Sequence, residues 1–373
     1  MILCSNPKAQ YLSHKSEIDK AIQRVLMRGR YILGKEVESF ENDFARFLGA
    51  KFAVGVASGT DALEISMAAL GIGKGDEVIT ASHTATATAA AILKVGAVPV
   101  LIDIEPNYFT LDPHEFESAI TRKTRAVIPV HLYGQPADLI PIRRIADRRS
   151  IAVIEDCAQA HGALYQGRSV GTFADLSIFS FYPTKNLGAL GDAGAIVTNN
   201  RTLDQKCRLL REYGWKQKHI SISQGWNSRL DELQAAVLRV KLKYLKRENR
   251  KRQALADEYR RSLVSLSRSG LAPSGIILPQ VRPGSTHVYH LYVVRTKARN
   301  DLQATLTRKG IQSLIHYPLP IHLQPYFKTR VKSVGKLPET QGATQEVLSL
   351  PMYPQLTKSQ LHTITDSINE FFA

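Results

Sequence analysis

A chain of 373 residues with 44% hydrophobic and 22% charged residues is long enough to bury a sizeable core, which argues against intrinsic disorder. No run approaches the roughly eighteen uninterrupted apolar residues of a membrane span, and the opening residues lack a signal-peptide core, so a soluble, cytoplasmic protein without a membrane partner is expected. The net charge of +16 raises nucleic acid, an acidic membrane surface or an anionic small molecule as partners.

Two amphipathic helices are predicted first, over 14–27 and 35–48; in the second, Val37, Phe40, Phe44 and Leu48 recur at helical spacing. Seven β-rich runs then alternate with helical segments: 52–57, 77–80, 98–104, 125–130, 151–156, 177–181 and 195–198. That alternation predicts an α/β fold with a mostly parallel seven-stranded sheet covered by helices, whose ligands sit beyond the carboxyl ends of the strands. A single long helix is predicted over 231–263, and a mixed segment from about Ser265 is punctuated by Gly270, Pro273, Gly275, Pro279, Pro283 and Gly284. A strand at 290–295 and a helix at 301–309 follow. The expected organisation is a large domain over 1–240 and a smaller C-terminal α/β domain over 241–373 that includes the connecting helix.

The charge is concentrated: 201–261 holds 17 Lys and Arg against 7 Asp and Glu. Lys241, Lys243, Lys246, Arg247, Arg250, Lys251 and Arg252 fall on the predicted long helix, where they form a solvated face or a partner-binding one. No zinc-finger, RNA-recognition or basic-zipper pattern accompanies them, so nucleic acid is not expected as a partner. Cys4, Cys157 and Cys207 are odd in number and widely spaced, which suggests neither a disulfide framework nor a metal site.

Three places carry candidate chemistry. Ser58-Gly59-Thr60-Asp61 follows a strand and opens a helix, an arrangement that serves either as a helix start or as a phosphate site of backbone N–H groups aided by the helix dipole. Glu155-Asp156 ends the run Ile151-Ala152-Val153-Ile154, which sets a carboxylate at the strand's carboxyl edge to hold a cationic group or to cap the backbone. Ser180-Phe181-Tyr182-Pro183-Thr184-Lys185-Asn186-Leu187-Gly188 leaves a strand as a loop, since Pro183 disfavours a helix there, and delivers Lys185 to the same edge. Phosphate donors, a carboxylate and an amine in that order are what a pyridoxal 5'-phosphate site requires.

With these features the sequence resembles the DegT/DnrJ/EryC1/StrS sugar aminotransferases, a family of fold type I pyridoxal-phosphate enzymes, over nearly its whole length. The similar stretches include Tyr31-Ile32-Leu33-Gly34, Ser58 to Leu63, Gly73 to Thr80 and His131-Leu132-Tyr133-Gly134-Gln135. Glu155 to Gly162, Ser180 to Gly188, Gly191-Asp192-Ala193-Gly194 and Asn227 to Ala236 complete them. The resemblance implies that Lys185 binds the cofactor as its Schiff-base lysine and moves the proton, that Asp156 partners the pyridine nitrogen, and that Gln159 contacts the ring. Gly59, Thr60 and Ser180 would hold the phosphate, and Asn227 would reach the phosphate of a neighbouring subunit, which implies a homodimer with shared active sites. It further implies amino transfer from glutamate, by way of pyridoxamine phosphate, to a nucleotide-linked keto sugar in the biosynthesis of amino-deoxysugars and polysaccharides.

A dehydratase of the same family would carry His where Lys185 stands. The remaining rivals are an amino-acid aminotransferase and a non-enzymatic regulator on the same scaffold. The family often has an aromatic residue on the cofactor ring where Ala85 stands here; His83 either supplies that contact or is a loop hydrogen-bonder. His316, Tyr317 and His322 match a stretch near which substrate is expected, and His83 is grouped with them as a candidate substrate contact.

Overall fold

A computed structural model describes residues 1–268 and 275–373. Gly270 and Pro273 therefore lie outside the described residues. The central sheet has eight strands in the order Phe52–Val56, Gly194–Thr198, Leu176–Ser180, Ala152–Asp156, Thr124–Ile128, Glu77–Ala81, Val98–Ile102 and Lys332–Ser333. Gly194–Thr198 runs antiparallel to both its neighbours, and the other pairings are parallel. All seven predicted strands are present; the eighth comes from the C-terminal part and has two residues, too short to show a period in the sequence.

Both faces of the sheet are buried, which is why its strands read as continuous apolar runs rather than alternating ones. Leu176 and Ile178 point into one apolar cluster with Val54, Ile79, Val127 and Ile154. Phe179 points into another, where Phe44 meets Phe179 at 4.9 Å and Phe181 at 5.3 Å between ring centroids. Phe40 and Phe44 come from the helix Lys35–Leu48, which has the predicted limits. The first predicted helix is displaced by one residue, to Lys15–Arg28, and a short helix, Pro7–Ser13, precedes it with Asn6 capping its start.

The predicted long helix is two. Glu232–Leu242 ends at Lys243, and Leu245–Arg268 begins after Tyr244, running past the expected limit at Leu263. No Gly or Pro marks the break. Tertiary contacts mark it instead: the Tyr244 ring stacks on His14 at 4.1 Å and its hydroxyl bonds Glu17. The basic run is likewise not one solvated face, because Lys241 and Arg252 are buried while Lys243, Lys246, Arg247, Arg250 and Lys251 are exposed.

A further apolar cluster joins Tyr259 and Leu263 to Tyr292, Leu306, Leu348, Leu350 and Ile364. It surrounds the antiparallel pair Tyr292–Arg295 and Val347–Leu350. The start of the chain packs here too, with Ile2 bridged to Ile311 and buried Cys4 against the Ser349 carbonyl. All three cysteines are buried thiols.

Candidate active site

The carboxyl ends of three strands and the start of a helix open on a cavity of about 260 Å³, lined among others by Gly59, Thr60, Thr84, Ala85, Asp156, Gln159, Ser180 and Lys185. Glu77–Ala81 leads into Thr84 and Ala85, Ala152–Asp156 ends on Asp156, and Leu176–Ser180 ends on Ser180. The N-terminus of Gly59–Ala69 faces the same space. The helix start and the anion site turn out to be one structure. Ser58 Oγ caps the helix by accepting from the Asp61 amide at 3.0 Å, while the amides of Gly59 and Thr60 donate to no acceptor among the described residues.

That approach depends on glycine. A Cβ on Gly59 would lie 2.7 Å from Ser180 Cβ, and one on Gly194 would lie 2.4 Å from the Ser58 carbonyl carbon. Helix start and strand end are packed backbone to backbone, so both sets of polar groups face the cavity. Ser228 braces the same corner, donating to Asp61 Oδ2 at 2.6 Å and accepting from the Ala57 amide at 3.0 Å.

Asp156 is buried and accepts from the Ala158 amide at 3.0 Å and from Thr88 Oγ1 at 3.4 Å. Burial raises its pKa, and those donors together with the charge on Lys185 only partly oppose this. Lys185 opens to the cavity on one side and is crowded by protein on the others; burial lowers its pKa to about 8, with Asp156 opposing. The amine is thereby easier to deprotonate, as a nucleophile requires.

The loop that carries Lys185 is pinned from four directions. Lys185 N bonds the Tyr182 carbonyl at 2.8 Å, and Gly188 closes the turn where a Cβ would fall 2.4 Å from the Pro183 oxygen. Asn186 Nδ2 donates to Asn249 Oδ1 at 3.0 Å and to the Val288 carbonyl at 2.9 Å. Lys241 Nζ donates to the Gly188 carbonyl at 2.7 Å and to Gln10 Oε1 at 3.0 Å. Sequence reading missed Lys241, Asn249 and Gln10 in this role, since each lies far along the chain from the loop and belongs to an ordinary helical pattern.

Of the remaining expected residues, Gln159 and Ser180 line the cavity. Asn227 is exposed and does not line it. His83 is not at the cavity either. Its ring is buried, burial and Arg295 push its pKa down to about 3, and Nε2 meets the Tyr133 hydroxyl at 2.7 Å; of its expected roles the geometry has the hydrogen-bonding one. Tyr317 is reached by Gln159 Nε2 at 3.2 Å, His316 Nδ1 faces Ser349 Oγ at 2.8 Å, and His322 Nδ1 faces Ser82 Oγ at 2.7 Å. Thr84, whose Oγ1 is buried without a partner, and Tyr182 also line the cavity but carried no separable signal in the sequence.

The His131, Glu155 and Cys157 side chains cluster closely enough to suggest a metal, but their groups are already engaged. Glu155 accepts from the amides of Gly171 and Phe173, both at 2.7 Å, and of Ala174 at 2.9 Å. His131 Nδ1 accepts from the Ala137 amide at 3.0 Å, which leaves Nε2–H to donate to Glu155 at 3.1 Å. The cluster ties together the strand ends next to Asp156.

A parallel-sheet cavity with a helix N-terminus, a strand-end carboxylate and a loop lysine defines a fold type I transferase. The profile of the DegT/DnrJ/EryC1/StrS aminotransferase family matches residues 13–369, and the chain belongs to that family. It is 46% identical to the dTDP-3-amino-3,4,6-trideoxy-alpha-D-glucose transaminase of Streptomyces venezuelae, over 98% of this chain and 94% of that protein. It is 49% identical to the erythromycin biosynthesis sensory transduction protein EryC1 of Saccharopolyspora erythraea, over 94% of each. The crystal structure of S. venezuelae DesV in complex with a ketimine intermediate superposes with a TM-score of 0.95 at 45% identity, covering 99% of this chain and 98% of that one. The chain is thus an aminotransferase of this family, and no helix among the described residues is long and apolar enough to cross a membrane.

Proposed function

We propose that this aminotransferase uses pyridoxal 5'-phosphate to move an amino group from glutamate to carbon 3 of a keto sugar linked to a nucleoside diphosphate. The observation that carries the reading is the convergence of Lys185, Asp156 and the Gly59–Thr60 amides on one cavity. The residues fit the cofactor. Two free amides suit a phosphate, and a buried carboxylate whose pKa burial raises is stabilised by a pyridinium N–H beside it. When bound, the cofactor supplies an electron sink for the carbanion formed at the substrate carbon.

Everything else falls to the chain. Gly59, Thr60 and Ser180 hold the phosphate, and Asp156 keeps the ring nitrogen protonated. Gln159 contacts the ring from a fixed orientation, since the Tyr133 amide holds its Oε1 at 2.7 Å. Lys185 would be the lysine that holds the cofactor, and its free amine would be the base that takes the proton from the donor carbon and returns it to the cofactor. Its lowered pKa lets it act as base near neutral pH. His316, Tyr317 and His322 stand on the acceptor side, and the excess of positive charge attracts a diphosphate. Asn227 completes the phosphate site of a second copy in a homodimer.

Carbon 3 is favoured because the S. venezuelae relative, alike along nearly its whole length, is named for a 3-amino product. Incubating the holoenzyme and glutamate with 3-keto and 4-keto nucleotide sugars, with product assignment by NMR, tests the reading. Amination at carbon 4 alone overturns the position, and no amination of any of them overturns the substrate class. A regulator, as the name of the S. erythraea relative would suggest, shows no conversion of bound cofactor by glutamate.

A further inference from the structure

Three strand-end segments and one C-terminal loop meet beside the cavity in a single chain of hydrogen bonds. The Tyr133 hydroxyl donates to the His316 carbonyl, which can only accept, so its oxygen accepts in turn from His83 Nε2 at 2.7 Å. This assigns the proton of the neutral His83 ring to Nε2 and leaves Nδ1 buried without a partner. At its other end Tyr133 presents its amide to Gln159 Oε1 at 2.7 Å, which turns Gln159 Nε2 toward the Tyr317 hydroxyl at 3.2 Å. Tyr133 does this from a left-handed backbone conformation with φ 61°, unfavourable for a tyrosine. A strained residue and an unpartnered buried nitrogen at one place persist only when the surrounding structure demands them, and such places gather at functional sites.

We propose that Tyr133 is a positioning residue for the sugar acceptor. Its hydroxyl and its amide hold His316-Tyr317 and Gln159 in one register, and His83 fixes the direction of that hydroxyl. Tyr317, accepting from Gln159, keeps its own O–H to donate to the sugar. The role rests on the acceptor reading above.

The test is Tyr133→Phe, which removes one oxygen and keeps the ring. Amide exchange of 314–317 in the cofactor-free chain, which needs no substrate, rises by about tenfold on loss of the bond that holds the loop. In the holoenzyme the acceptor KM rises by about tenfold while kcat stays within about threefold, and borohydride fixes the cofactor to Lys185 in unchanged yield. His83→Phe acts in the same direction and adds nothing to Tyr133→Phe in the double variant, because it acts through the same oxygen. Unchanged exchange, an unchanged KM, or additive effects each overturn the role. Failure of the unmutated enzyme to aminate any keto sugar overturns the acceptor reading instead, while the exchange measurement still decides whether Tyr133 holds the loop. Should Tyr133→Phe not fold, His83→Phe leaves every backbone contact of Tyr133 in place and must still quicken exchange at 314–317; if it does not, the role is overturned.

Discussion

Replacing Gly59 with alanine sets two effects against each other. Alanine favours a helix over glycine by up to about 1 kcal/mol, and less in a first turn, so secondary-structure preference alone makes Gly59→Ala neutral or mildly stabilising. Packing says the opposite. The new Cβ would lie 2.7 Å from Ser180 Cβ and 3.2 Å from Ser180 Cα, roughly 1 Å inside ordinary carbon contact. Ser180 cannot recede, because it pairs with Gly194, whose own Cα already abuts the Ser58 backbone. Overpacking of this kind costs about 1–3 kcal/mol, so it wins. The displaced amides of Gly59 and Thr60 also lose reach to a phosphate. One hydrogen bond to a charged group is worth about 1.5–3 kcal/mol, so cofactor affinity falls by roughly 10- to 100-fold. Fluorescence titration of the cofactor-free protein with pyridoxal phosphate reads the affinity, and thermal melting reads the strain. Gly73→Ala is the control, since its Cβ would meet nothing closer than the Val95 oxygen at 3.6 Å. Wild-type affinity in Gly59→Ala refutes the close-approach argument.

Three further outcomes are expected. Asp156→Asn retains the cofactor but slows its conversion by glutamate in single turnover by about 10- to 1,000-fold, the effect of losing a charge that shifts a neighbouring pKa by one to three units; an unchanged rate removes Asp156 from that role. Because burial lowers the Lys185 pKa to about 8, the nucleophilic neutral amine accumulates as pH rises through that value. The rate of cofactor attachment then climbs with pH and levels off above about 9, whereas a midpoint near the ordinary lysine value of about 10.4 contradicts the burial argument. Finally, Lys185→Ala and Asn227→Ala are each inactive or clearly impaired as homodimers, yet mixing them restores partial activity through one intact shared site per heterodimer. Proven heterodimers without recovery, or an active monomer in sedimentation, disprove the sharing.

The order of strands and helices and the line of candidate residues along the strand ends were legible in the sequence, because short apolar β-rich runs and the helical period of 3.6 are local properties of the chain. Gly59, Asp156 and Lys185 stood out as candidates because each lies at the carboxyl end of a strand or a few residues past it. Only the tertiary structure decided that Lys241 and Arg252 leave the solvated face of their helices, one to hold the Gly188 carbonyl and the other the Met352 carbonyl. It also split the long helix at Tyr244, placed Asn227 outside its own chain's cavity, and turned His83 toward Tyr133. These features depend on partners brought together from distant parts of the chain, and a hydrogen bond between distant residues leaves no period in either of them.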